Sequence, residues 1–275
     1  MTQSMPILPE DLIDLDRYPL FDPARRAGIA RDARRGMAEI GSAILPGFLR
    51  TDAIARMAAE AMTQFPVSHR RDRMLSAYGP ESDATAVPED HPLCRTWPYR
   101  MRVTATDQMD PQGATLTLYE WDELTALVRD ILDLPALYRV EDPLMRCNFT
   151  FLTDGDEHGW HFDGNDFVVS LLLQAAENGG AFEFAPGLRS DEDENFEGVR
   201  AVMDGEPGLT RLLTAAPGTL ALFRGRRALH RVTRVSGNRP RIIALLSYDE
   251  RRDTVWGPEA QRRVFGRAAG EAPVM

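Results

Sequence analysis

Residues 145–174 read MRCNFTFLTDGDEHGWHFDGNDFVVSLLLQ, and this stretch decides the fold. Three short runs, MRCNFTFL, GWHFD and DFVVSLLLQ, are rich in β-branched and aromatic residues and are separated by Gly and Asp turns. Runs of that length and composition, bounded by turn residues, predict strands. The pattern continues through GAFEFAP, GTLALFRG, ALHRVTRV and RIIALLSYD to about residue 250. Many short, evenly spaced strands predict a sandwich or barrel. In the first run, Met145, Cys147, Phe149 and Phe151 alternate with Arg146, Asn148 and Thr150. One face is therefore expected to pack against helices, and the other to line a pocket or meet solvent.

Upstream, the sequence turns helical. DPARRAGIARDARRGMAEIG predicts a helix with Asp22 as N-cap, Pro23 in the first position and an end near Gly41. TDAIARMAAEAMTQF predicts a second, capped by Thr51 or Asp52. WDELTALVRDILDL predicts a third, with Leu124, Leu127, Val128 and Ile131 in one apolar stripe. Roughly residues 66–118 form a Pro- and polar-rich region; within it AYGPESDATAVPEDHPLCR shows no clear period and reads as a long loop, with Tyr78 to Pro88 as the candidate lid. His69 and His91, in this region, read as solvated. The acidic run RSDEDENFEGVRAVMDGEPG reads as a solvated insertion. A single domain over residues 1–275 is expected: a mainly helical part with a long loop (1–142), a β core (143–250) and a tail (251–275).

A net charge of −10 argues against a nucleic-acid partner. All 32 basic residues are arginine, which removes Schiff-base lysine chemistry and any phosphate-loop lysine. Cys94 and Cys147 are far apart with no paired spacing. The leading MTQSMPILPEDLIDLD is acidic and lacks the features of a signal peptide. A cytoplasmic location without a disulfide framework is expected, and no apolar run approaches a membrane span.

His161 and Asp163 alternate on a strand, so both side chains meet one face. His230 lies on a strand some seventy residues later. Two histidines and a carboxylate on one face of Fe(II) form a facial triad that leaves adjacent positions open. A bidentate 2-oxoacid takes two of them and O2 the third. Such a site also needs a cation for the distal carboxylate of 2-oxoglutarate. Arg239 and Arg241 share strand parity. Arg241 is favoured because it enters the apolar strand, and Arg239 is the alternative. Asn148, on the polar face of its strand, is a candidate to hydrogen-bond the cosubstrate. On a regular strand His158 and His161 have opposite parity, which disfavours a zinc-type pair. Asn165, Asp166 and Glu183 are candidates for a substrate amine. Trp160 and Trp256 read as packing residues, Trp256 being placed to close the pocket.

The HxD pair, the distal histidine and an arginine nine to eleven residues beyond it resemble the Fe(II)/2-oxoglutarate-dependent oxygenases over residues 143–250. YPLFD, LPGFL, LYRVEDPL, GWHFD, FVVSLLLQ, GGAFEFAP and LHRVTRVSG with PRIIALLSYD resemble one branch of it across most of the chain. That branch holds the free amino-acid radical halogenases and their hydroxylase relatives. The resemblance implies a mainly β (α+β) fold, a double-stranded β-helix or jelly roll with N-terminal helices packed on it. It implies Fe(II), 2-oxoglutarate and O2 as cofactor and cosubstrates, and His158 touching 2-oxoglutarate rather than metal. In the halogenases the carboxylate position is a small residue; here it is Asp163. The implied activity is therefore hydroxylation of an unactivated C–H in a free amino acid or similar metabolite, with release of succinate and CO2. A metal enzyme of the cupin type without 2-oxoglutarate, and a non-catalytic metal- or ligand-binding barrel, are the alternatives.

Overall fold

Asp22 starts the first helix by accepting hydrogen bonds from the backbone N–H groups of Ala24 and Arg25. In this computed structural model, which describes residues 6–80, 82 and 84–272, that helix is α1 (Pro23–Ile40). It ends at Gly41 in the left-handed conformation, φ 71°. Helix α2 (Thr51–Gln64) follows, with Arg50 in the N-cap position and no side-chain cap, so neither Thr51 nor Asp52 has the expected role. Helices α3 (Ala114–Tyr119) and α4 (Asp122–Leu132) complete the N-terminal layer. The predicted stripe of α4 is buried.

Eleven strands join one antiparallel sheet. They are β1 (Ser42–Leu45), β2 (His69–Ser76), β3 (Thr96–Val103), β4 (Cys147–Leu152), β5 (Glu157–His161) and β6 (Val168–Gln174). Then come β7 (Phe182–Ala185), β8 (Arg211–Leu213), β9 (Leu220–Phe223), β10 (Leu229–Val232) and β11 (Arg241–Leu246). The spatial order is β1-β9-β6-β11-β4-β3-β5-β10-β7-β8, with β2 added on β3. Strand β3 pairs with both β4 and β5, so it joins two walls. The sheet curls until the walls face each other: Phe223 of β9 meets the His230 ring of β10 edge-on at 4.8 Å.

Register sorts the side chains of the first wall. Phe149, Phe151, Leu171, Leu222 and Ala244 pack with the helices in the main apolar core. On β11, Arg241, Ile243 and Leu245 stand opposite Leu152, Thr150 and Asn148. Residues directly opposite in an antiparallel pair share a face, so Arg241 and Asn148 lie on the inner one.

Three expectations need correction. The region 66–118 is more than a loop: AYGPESDATAVPEDHPLCR carries no strand or α-helix among its described residues, but its flanks supply β2, β3 and α3. TWPYRMRV alternates Trp97, Tyr99, Met101 and Val103 with Pro98, Arg100 and Arg102, a strand pattern, whereas HRRDRMLS lacks apolar alternation and is supported by a charged cross-strand neighbour. Arg100 stands opposite Asp72 and binds it at 3.2 Å. The acidic run is not merely solvated: it contains α5 (Phe196–Met203), whose Val199, Val202 and Met203 join Trp160, Phe162 and Leu229 in a second core. The C-terminal part carries α6 (Pro258–Phe265). Buried Asp142 anchors it, accepting from Gln261 Nε2 and the Trp256 backbone, each at 2.9 Å. Glu81 and Asp83, in the predicted lid, lie outside the described residues. Among the described residues no helix is long and apolar enough to cross a membrane.

Candidate metal centre and cosubstrate pocket

Strands β5 and β10 pair with His161 opposite His230, yet Val232 stands opposite His158. Three residues of β5 are therefore spanned by two steps of β10, which is a β-bulge. The extra residue reverses strand parity. His158 and His161 end on the same side, with rings stacked at 3.5 Å and 14°. The parity argument that separated them assumed a regular strand. Gly159, within the bulge, lets β5 lie close to β3, since a Cβ there would overlap the Trp97 side chain.

His161, Asp163 and His230 converge. Their ligand atoms all lie within 4.8 Å of one another. Asp163 Oδ1 is 3.6 Å from His161 Nε2, and Oδ2 is 3.3 Å from His230 Nε2. Each histidine holds Nδ1 at 2.9 Å from a backbone carbonyl two residues earlier, Gly159 for His161 and Ala228 for His230. A carbonyl only accepts, so Nδ1 carries the proton and Nε2 presents a lone pair. Burial first, then repulsion from His230, pushes the His161 pKa down to about 3, so this ring is neutral at physiological pH. Burial raises the Asp163 carboxyl, but contacts with His230 and His161 more than offset it, and the group stays ionised. Two imidazole Nε2 atoms and a carboxylate thus face one point. That donor set fits a divalent cation of intermediate softness, with the two carbonyls orienting the ligand rings.

The residues expected to meet 2-oxoglutarate divide. Arg239 is exposed and donates to the carbonyls of Ala175 and Ala176 at 3.1 and 3.3 Å, outside the barrel. Arg241 lies on the inner face and, among the described residues, has no hydrogen-bond or ion-pair partner. Burial lowers its pKa to about 10, which leaves it cationic at neutral pH. A guanidinium partly withdrawn from water without a counter-charge is unfavourable, and a carboxylate relieves it. Asn148 shares that face and its side chain is also without a partner among the described residues. His158 Nε2 is buried and unpaired. Burial, then His161 and His230, holds its pKa well below the usual histidine value, and the Arg241 charge contributes to that shift.

Other candidates fall away from the centre. Glu183 accepts from Thr210 Oγ1 at 2.7 Å and Arg231 Nε at 2.8 Å. Asn165 and Asp166 are exposed, Asp166 lying 3.5 Å from Arg226. Trp160 is buried under the Arg231 guanidinium. Trp256 does not line the cavity over the metal centre. His91 accepts from the Leu93 backbone and packs on Phe196; His69 lies against Gly266. Neither approaches the triad.

A cavity of about 550 Å³ opens over His158, His161 and Asp163. Ten of its lining residues, Arg71 and Tyr99 among them, lie in the Pro- and polar-rich region 66–118. Arg71 donates to Tyr99 Oη at 2.7 Å, and the Tyr99 ring meets His158 edge-on at 4.1 Å. Their sequence signals were the alternation of Arg71 and Arg73 about Asp72 and that of Trp97, Tyr99, Met101 and Val103 along TWPYRMRV.

The sequence matches the family model for halogenase D over residues 27–262. No curated protein matches it. Solved structures share the fold at low identity. A 2OG-Fe(II) oxygenase family oxidoreductase from Burkholderia pseudomallei superposes with a TM-score of 0.52 at 15% identity, covering 81% of this chain and 91% of that one. The epimerase SnoN, in complex with Fe3+, alpha ketoglutarate and nogalamycin RO, gives 0.55 at 16%, covering 92% and 94%. HygX from Streptomyces hygroscopicus, with nickel and 2-oxoglutarate bound, gives 0.53 at 17%, covering 82% and 89%. The matched span takes in the triad and most of the chain, so the protein belongs to the halogenase D family, with the jelly-roll fold of the Fe(II)/2-oxoglutarate oxygenases.

Proposed function

We propose that the protein is an Fe(II)- and 2-oxoglutarate-dependent hydroxylase acting on a small amino-acid-like metabolite. The observation that carries this reading is Asp163. Its carboxylate stands between His161 Nε2 and His230 Nε2, at the position the halogenases of this family leave to a small residue. Bound iron would supply the redox chemistry: O2 and 2-oxoglutarate are converted to succinate and CO2 as one oxygen atom enters a substrate C–H bond. The chain's own residues hold and orient. His161, Asp163 and His230 take the metal, and Arg241 takes the distal carboxylate of 2-oxoglutarate in a charge-assisted pair. Asn148 and neutral His158 offer further polar contacts to the cosubstrate. Phe182, Phe184 and Phe223 pack around His230 and exclude water from its side of the centre.

The test is succinate formation from 2-oxoglutarate with Fe(II) in air, with mass spectrometry of a pool of small metabolites. Succinate plus one pool member heavier by a single oxygen is expected, and neither in His161→Ala. Full succinate production by His230→Ala would sink the reading.

A further inference from the structure

The cavity over the metal centre has a marked charge bias in a chain of net charge −10. Arg71, Arg73, Arg189, Arg226 and Arg263 line it, and Asp163 is the one carboxylate among the described lining residues. Three of these arginines have acids nearby. Arg189 binds Glu194 at 3.0 Å, Arg226 lies 3.5 Å from Asp166, and Arg263 is 3.8 Å from Glu259.

Arg71 and Arg73 differ. Arg71 lies 4.2 Å over the Tyr99 ring and donates once, to Tyr99 Oη. Its Nε is buried with no acceptor. Arg73 has no hydrogen-bond or ion-pair partner among the described residues. The two alternate on β2 and both reach the cavity, roughly 7 Å apart along the strand. Tyr99 ties Arg71 to the centre, its ring 4.1 Å from His158 and 6.5 Å from His161. A guanidinium fork with free donors matches a carboxylate or phosphate in two-point contact. A cleft of one sign also concentrates ligands of the other. Among the described lining residues a substrate ammonium would find no carboxylate except Asp163, which faces the two candidate ligand histidines.

We infer that this site takes a small molecule carrying two anionic groups, one on Arg71 and one on Arg73, rather than a neutral or basic amino acid. This rests on the hydroxylase reading for the place of the reaction, and deepens it by naming the substrate class. The second anion is either a carboxylate or a phosphate, and matched probes separate these sources.

The experiment is anaerobic calorimetry on the Fe(II) protein saturated with 2-oxoglutarate. Probes are L-glutamate against L-glutamine and L-lysine, and O-phospho-L-serine against L-serine. At least one dianion should bind tenfold or more tightly than its uncharged counterpart, and L-lysine should not bind. A preference for glutamate assigns the second group to a carboxylate, and one for phosphoserine to a phosphate. Arg73→Gln, at an exposed position, and Arg71→Gln, checked for folding by circular dichroism, should each reduce the dianion's affinity about tenfold or more. Equal binding within both pairs, tight binding of L-lysine, binding of no probe at millimolar concentration, or a preference unchanged in both variants overturns the inference. Substrate-free succinate production is measured alongside. If it persists while the dianion preference is absent, the inference alone fails. If it is absent while the preference holds, the hydroxylase reading alone fails.

Discussion

Gly225 and Asp163 compete for one volume: the Asp163 carboxylate fills the space that a Cβ on Gly225 would need. The Asp163 backbone N–H also donates to the Gly225 carbonyl at 3.1 Å. Gly225 is not among the glycines with positive φ, so its absent side chain, not its backbone freedom, is what the site uses. Gly225→Ala should push the carboxylate off its position while leaving all three ligands in the sequence. Fe(II) affinity should fall about 10–100-fold, the usual effect of disturbing a ligand's support. Anaerobic titration against a competing chelator measures this, with circular dichroism to verify folding. Wild-type affinity in the alanine variant would mean that Asp163 is not held by this contact.

Arg241 and Arg239, equal in strand parity, should separate cleanly by mutation. Arg241→Met removes a half-buried charge that has no partner among the described residues, so the melting temperature of the protein without 2-oxoglutarate should hold or rise. The stabilisation that 2-oxoglutarate gives should vanish, because a two-point charged contact contributes about 3 kcal/mol, roughly 100-fold in affinity. Arg239→Gln loses contacts to the Ala175 and Ala176 carbonyls only, and its 2-oxoglutarate affinity should stay within about twofold. Thermal melts across a 2-oxoglutarate series decide it. The reverse ranking would move the cosubstrate site to the rim.

The convergence of His161, Asp163 and His230 was legible because these residues obey simple local rules. His161 and Asp163 are two residues apart, and His230 lies on a strand that pairs directly with theirs. Helix α1 was legible because Asp22, Pro23 and Gly41 are strong end signals. What escaped depends on tertiary partners. Strand β2 reads as a polar segment until Arg100 is placed opposite Asp72. The shared side of His158 and His161 depends on a bulge set by β10, which no local pattern encodes. Helix α5 hides in an acidic run because only Val199, Val202 and Met203 reach the core.

The stacked histidines give a pH dependence to the metal-free protein. In the unfolded chain a histidine titrates near 6.5; in the fold His161 titrates at about 3 and His158 well below its usual value. Between those limits the unfolded state binds more protons, so stability rises with pH and falls on acidification from about 6.5 downward. Each histidine contributes up to about 1.4 kcal/mol per pH unit in that window. Urea denaturation after chelator treatment, at pH 7.5, 6.0 and 5.0, should show the loss, and His158→Gln should lessen the slope. A flat profile between pH 5 and 7 would show that the rings are not desolvated together.

The bulge at Gly159 can be tested without touching a polar group. A Cβ there would press on Trp97 and on the Pro98 backbone, both on β3, which also carries Tyr99. Gly159→Ala must therefore spread β5 from β3 or flatten the bulge. Overpacking of this kind destabilises by about 1–3 kcal/mol, read as a lower urea midpoint. The functional consequence should fall unevenly. His161 keeps its place opposite His230, so Fe(II) binding should weaken little. His158 and Tyr99 are displaced from one another, so 2-oxoglutarate affinity should weaken more than metal affinity. Parallel titrations of Fe(II) and 2-oxoglutarate on Gly159→Ala measure that ratio. Equal losses would mean that the bulge positions the metal ligands themselves, and that His158 has no separate role at the cosubstrate.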